Sequence, residues 1–134
     1  MFVTDLLAPR SAPAKHTIAA LGSSSLEKGN AFVEKLWEKA PTQPRPVVYA
    51  NYDGVYNDDS VDIVYIGTPH SLHKANCLDA IAAGKHVLCE KPFTINAQEA
   101  QEVVDAARKK GVYIMEGMFV HSTLRYFFYT TTSH

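Results

Sequence analysis

Apolar and polar positions alternate between two periods along this chain. Residues 61–66 (VDIVYI) are dominated by β-branched and aromatic side chains, which predicts a strand buried on both faces. Gly67, Thr68 and Pro69 then turn the chain. Leu72, Ala75, Leu78 and Ile81/Ala82 come next at three- and four-residue steps, the spacing of one helix face. Gly84 closes that helix, because a residue without Cβ takes the left-handed conformation at little cost. Residues 86–89 predict a second buried strand.

The pattern extends in both directions. Phe2, Val3, Leu6 and Leu7 suggest a short helical face within residues 1–8, and Pro9 and Pro13 interrupt the chain beyond it. Residues 16–21 (HTIAAL) predict a strand, and Gly22-Ser23-Ser24-Ser25 its turn. Ser24 with Glu27 makes a capping box, so a helix starts there. Its inner face is Leu26, Gly29, Val33, Leu36 and Trp37, with Lys28, Glu34, Lys35 and Glu38 on the solvated side. Pro41, Pro44 and Pro46 mark a loop, 47–50 a third short strand, and 51–60 a polar stretch with one helical turn. Beyond Pro92, Asn96 with Glu99 repeats the capping pattern. Ala97, Ala100, Val103, Val104 and Ala107 form an apolar stripe, Lys109 and Lys110 suit the helix dipole, and Gly111 closes the helix. Residues 112–115 predict the last strand.

Strand and helix thus alternate as β-α-β-(α)-β-α-β-α-β, the order of a doubly wound parallel α/β sheet. In such sheets ligands bind beyond the carboxyl ends of the strands. Two segments fall there, Thr68-Pro69-His70 and Glu90-Lys91-Pro92, and they are the first candidates for a site.

Bulk properties narrow the class. With 134 residues the chain is at most one domain, and 46% hydrophobic with 20% charged residues fits a globular protein rather than a disordered one. A net charge of −1 offers no bulk attraction to nucleic acid or an anionic membrane. No apolar run is long enough to span a bilayer, and no secretory signal is visible at the N-terminus. Cys77 and Cys89 read as small buried thiols of a reducing cytoplasm rather than a disulfide framework.

A strand ending in Gly-Thr-Pro, a His at position 73, and then Gly-Lys-His-Val-Leu-Cys-Glu-Lys-Pro over residues 84–92 resemble the glucose-fructose oxidoreductase / inositol dehydrogenase (Gfo/Idh/MocA) family of NAD(P)-dependent enzymes. Within it, the chain is most similar to the dihydrodiol and D-xylose dehydrogenase branch, over roughly residues 1–120. The resemblance implies a Rossmann-like nucleotide-binding domain, a small sugar or cyclic diol as substrate, NADP or NAD as cofactor, and family members that are often homo-oligomers. It places Lys91 beside the nicotinamide and the reacting hydroxyl as the catalytic residue. It places Ser23, Ser24, Thr68, Pro69, His70, His73, Glu90 and Lys91 along the cofactor.

The chain also departs from that family. The phosphate-binding turn is Gly-x-Gly-x-x-Gly, and no Gly-x-Gly occurs anywhere in this sequence. By resemblance residues 1–10 match the end of the first helix, so the expectation is an incomplete doubly wound sheet lacking its first strand. The family's Arg beyond the last strand falls on His121 or Arg125. Residues 121–134 read as an irregular tail in place of a substrate domain. The expectation is a shortened or misassembled product of such an oxidoreductase with little or no turnover on its own; the alternatives are an interaction module with intact paralogues and a chain that does not fold stably.

Each candidate has a plainer reading. Lys91 also fits a solvated lysine before a proline, and Glu90 a local partner for it. Pro92 fixes a bend that a cis bond can precede. Serines at positions 23–25, where an NAD enzyme usually has Asp or Glu, favour NADP, since hydroxyls donate to a 2′-phosphate that a carboxylate would repel; one serine also simply caps the helix. His70 and His73 have metal-ligand spacing, but no third ligand is placed nearby and no metal is expected. Tyr49, Asn51 and Tyr52 fit either an adenine or ribose contact or a turn, and residues 126–129 either a stacking surface or an accidental cluster.

Overall fold

Short β-branched runs form parallel strands that two-period alternation then sorts onto opposite faces. In the computed structural model, which describes residues 16–40 and 42–117, Ala20–Gly22 (β1) pairs parallel with Val47–Tyr49 (β2). Ile63–Ile66 (β3), His86–Glu90 (β4) and Ile114–Gly117 (β5) form a second parallel sheet in the order β3-β4-β5. The helices are Leu26–Trp37 (α1), Asp53–Tyr56 (α2), His73–Ala82 (α3) and Ala97–Lys110 (α4). The predicted helical face at 1–8, the choice between His121 and Arg125, and the tail lie outside the described residues.

The expected element order is observed, with shifts at the ends. β1 starts four residues later than the pattern HTIAAL suggests, and β5 spans Ile114–Gly117 rather than 112–115. The cap of α1 is Ser25, not Ser24. Ser25 is extended (φ −159°, ψ 154°) and its Oγ accepts the Lys28 amide at 3.3 Å, satisfying one of the helix's unpaired donors. Asn96 caps α4 as expected, accepting the Glu99 amide at 2.9 Å. Gly84 and Gly111 both hold positive φ, 81° and 76°, where α3 and α4 stop.

Leu21 and Val48 join Val33, Leu36, Trp37 and Ala40 under α1. Ala20 and Tyr49, their alternating neighbours, join the larger cluster formed by α2, α3, α4 and the three-stranded sheet. Close approach of α1 to β2 requires Gly29, since a Cβ there would sit 2.5 Å from Val48 Cγ1. In the larger cluster Val64, Ile66, Val87 and Cys89 turn one sheet face toward α3 and α4. Ile66 and Val87 are each only 3% exposed, and burial of such side chains is worth roughly 1.5–3 kcal/mol apiece.

Burial of the β3 run on both faces is not observed: Ile63 is 51% exposed and Met115, on the same face of the sheet, 52%. The two crossovers, β3-α3-β4 and β4-α4-β5, put their helices together on a single face. The buried face of α3 also differs from the predicted one. It carries His73, Asn76, Cys77, Ala80 and Ile81, while Leu72, Ala75 and Ala82 are exposed. An ion pair between Lys74 and Glu102, 2.6 Å apart, links α3 to α4. Among the described residues no helix is long and apolar enough to cross a membrane.

Candidate active site at the carboxyl rim of the sheet

Parallel pairing fixes where the two candidate loops emerge. Ile66 is registered against Cys89, so two residues further on Thr68 and Lys91 leave adjacent strands at the same rim. One side chain ties the two loops together. His73, the first residue of α3 and 1% exposed, directs Nε2 at the Thr68 carbonyl and Nδ1 at the Pro92 carbonyl, each at 2.9 Å. Asn76, one turn on, donates from Nδ2 to the Thr68 hydroxyl at 2.8 Å. Both polar residues are buried because each has a partner waiting.

The second loop is held from three sides. Tyr65 Oη donates to Glu90 Oε1 at 2.5 Å, and Glu90 Oε2 accepts the Lys91 amide at 3.3 Å. Glu116, on β5, accepts the Phe93 amide at 2.9 Å, and the Phe93 ring packs on the core. The Lys91–Pro92 bond is cis. Burial first, then the hydrogen bond to Glu90, holds the Tyr65 phenol well above its ordinary range. Lys91 and the neighbouring Pro69 and His70 are exposed along this rim.

In the two-stranded sheet, β1 ends at Gly22 and the serines follow it. Ser23 donates its amide to the Tyr49 carbonyl at 3.0 Å, while Ser24 is exposed with the Lys28 ammonium 3.5 Å from its Oγ. Sequence reasoning placed Lys28 on the solvated face and missed this proximity. The signal was available, since residues four apart on a helix start share a side. Asn51 accepts the Gly54 amide at 2.8 Å and so serves the turn into α2. Tyr49 donates to Asp58 at 3.2 Å. His70 and His73 rings lie 6.2 Å apart, edge to face. Among the described residues no group of three or more His, Cys, Asp or Glu is arranged to hold a metal ion.

A parallel α/β sheet with two loops pinned side by side beyond its strand ends is the arrangement in which open α/β domains bind their ligands. The chain belongs to the Gfo/Idh/MocA oxidoreductase family with an NAD-binding Rossmann fold, whose model matches residues 2–118. It is 39% identical over 119 residues to trans-1,2-dihydrobenzene-1,2-diol dehydrogenase of Sus scrofa, covering 88% of this chain and 32% of that protein. It is 38% identical over 113 residues to the D-xylose 1-dehydrogenase (NADP(+)) of Hypocrea jecorina, covering 84% and 27%. Among solved structures it resembles KijD10, a 3-ketoreductase from Actinomadura kijaniata in complex with NADP and TDP-benzene. That match has a TM-score of 0.70 at 28% identity and covers 84% of this chain and 31% of the other. The chain therefore spans about a third of the length of these relatives.

Proposed function

We propose that this chain is the nucleotide-binding part of an NADP-dependent oxidoreductase that oxidises a CH–OH group of a sugar such as D-xylose, or of a cyclic trans-diol. The observation that carries the reading is the juxtaposition of the Thr68 and Lys91 loops at one rim, joined through His73. Relatives named for diol and xylose dehydrogenation supply the substrate class.

The residues present fit the two ends of the cofactor. Ser23, Ser24 and the Lys28 ammonium offer hydroxyl donors and a positive charge where the adenosine 2′-phosphate binds in such folds, and no carboxylate occupies positions 22–26 to repel it. Thr68, Pro69, His70, His73, Glu90 and Lys91 frame the nicotinamide end. For the pyrophosphate this sequence has no Gly-x-Gly turn. When bound, the cofactor accepts the hydride. Lys91 orients the substrate hydroxyl and takes part in moving its proton. Glu90, fastened by Tyr65, fixes the backbone from which Lys91 extends. We assign residues 1–120 to this domain and place the protein in the reducing cytoplasm, which the free buried thiols of Cys77 and Cys89 support.

The test is a titration of the chain with NADPH and NADH, then absorbance at the reduced-nicotinamide band with D-xylose or a trans-dihydrodiol. The expected result is preferential NADPH binding, with any turnover removed by Lys91→Met and binding retained. Preference for NADH would overturn the cofactor assignment, and undiminished turnover in the Lys91 variant would overturn the catalytic one. A second reading, a module that binds without turnover or folds only weakly, is favoured by the missing glycine turn. Cofactor binding with no substrate-dependent signal selects the module. The absence of a cooperative thermal transition selects the unstable chain.

A further inference from the structure

Where α2 meets the last turn of α3, Asp53, Tyr56, Asn57, Asp79, Ala82 and Ala83 line an open cleft of about 350 Å³. α3 starts at the carboxyl rim with His73 and ends at Ala82, just before the chain enters β4 at its amino end. The cleft therefore lies toward the opposite end of the sheet from the Thr68 and Lys91 loops. Its volume suits a small ligand.

Tyr56 is 6% exposed, yet no hydrogen bond reaches its hydroxyl. Among the described residues every side-chain polar atom sealed from solvent has a partner, so this oxygen opens into the cleft rather than into the core. Burial first, then the carboxylates of Asp79 and Asp53, raises the phenol, so the group stays a hydroxyl at neutral pH. Both carboxylates are on exposed residues, and among the described residues no ion pair engages either one. Lys85, beyond the end of α3, turns its ammonium onto the Asp58 carbonyl at 2.8 Å. Asn57 gives its Nδ2 to the Asp53 carbonyl at 2.9 Å, which leaves its side-chain oxygen as an acceptor. The cleft thus presents acceptors, two of them charged, together with one hydroxyl and no cation of its own.

We propose that this cleft binds a small organic cation, an ammonium or guanidinium group whose N–H donors are shared among the Asp53 and Asp79 carboxylates and the Tyr56 hydroxyl. The carboxylates supply the charge. The hydroxyl, deep in the cleft and without a partner, selects for an N–H donor over charge alone, because its lone pairs gain the hydrogen bond that the protein does not give them. A bare metal ion is the poorer occupant, since among the described residues no group of three or more His, Cys, Asp or Glu converges to hold one. None of these side chains belongs to the cofactor site, so the proposal stands apart from that reading.

The experiment titrates the full chain with 1,4-diaminobutane and with agmatine, read by calorimetry and by the Tyr56 ring signals. Saturable binding is expected with either amine, unaffected by NADPH. Affinity should fall about tenfold or more in Asp79→Asn, which removes a charge, and in Tyr56→Phe, which removes only the oxygen. Tetramethylammonium, charged but without an N–H, should not displace the amine. Failure to saturate would overturn the site, as would equal affinity in the two variants. Displacement by tetramethylammonium would reduce it to unspecific charge, and magnesium binding more tightly than either amine would make it a metal site; both results overturn the proposal. Asp79 is exposed, so if Tyr56→Phe does not fold, Asp79→Asn with the tetramethylammonium competition decides.

Discussion

Tyr65 and Glu90 sit on adjacent parallel strands, and the phenol of one donates to the carboxylate of the other at 2.5 Å. Glu90 in turn accepts the Lys91 amide, so the hydroxyl of a strand residue reaches the base of the candidate catalytic lysine. Tyr65→Phe removes only that oxygen. The expected cost is about 1 kcal/mol or somewhat more, since the bond is to a charged group but not fully shielded from water. Denaturant titration of the two proteins measures it, and equal midpoints would show that the bond contributes nothing.

Alkaline stability should depend on two tyrosines. Burial first, then the hydrogen bond to Glu90, raises the Tyr65 phenol. Burial first, then the carboxylates of Asp79 and Asp53, raises that of Tyr56. A phenol that ionises less readily when folded contributes stability that is complete below the unfolded value of about 10 and is lost as pH climbs past it. Melting temperature should therefore decline above about pH 10. The decline should be shallower in Tyr56→Phe and Tyr65→Phe. Parallel curves for the wild type and both variants would contradict this.

Asn76 supplies the amide that meets the Thr68 hydroxyl at 2.8 Å inside the core. Asn76→Ala leaves that hydroxyl short of a partner and opens a small void. A loss of about 1–3 kcal/mol is expected. Faster amide exchange around residues 67–70 would accompany it. Wild-type exchange there would argue that the turn holds its shape unaided.

Gly29→Ala sets helix propensity against packing. Alanine favours a helix over glycine by about 1 kcal/mol. Its Cβ, however, would meet Val48 Cγ1 at 2.5 Å, and overpacking of that kind costs about 1–3 kcal/mol. The variant is expected to be less stable than the parent despite its better helix former. A raised melting temperature would mean that α1 can lift away from β2 cheaply.

The alternation of strands and helices was legible because each βα unit carries its own punctuation. Gly84, Gly111 and Asn96 do in the structure what their chemistry suggests. Thr68-Pro69-His70 and Glu90-Lys91-Pro92 were placed at one rim by parallel topology alone, and the pairing agrees. The buried face of α3 was misplaced by one residue because only apolar side chains were counted. His73 and Asn76 belong to that face through partners 19 and 8 positions away, which no local periodicity encodes. Ile63 was assigned to the interior because a β-branched run reads the same whether one or both faces are covered. Lys28 was overlooked because a charged residue near a helix start looks solvated until a neighbouring hydroxyl is seen beside it.

Cys77 on α3 and Cys89 on β4 are both fully shielded, and Cys89 lies directly behind the Glu90–Pro92 turn, with Sγ 3.5 Å from the Glu90 carbonyl oxygen. The contact between the two thiols, and then burial, raises the Cys77 thiol, while the same contact lowers that of Cys89 against the opposing effect of burial, so shielding rather than protonation keeps reagents from Cys89. Alkylating reagents therefore wait for the strand end to breathe. Their reaction rate becomes a clock for how often the lysine-bearing loop lifts off its frame, readable by mass alone in any variant of this chain.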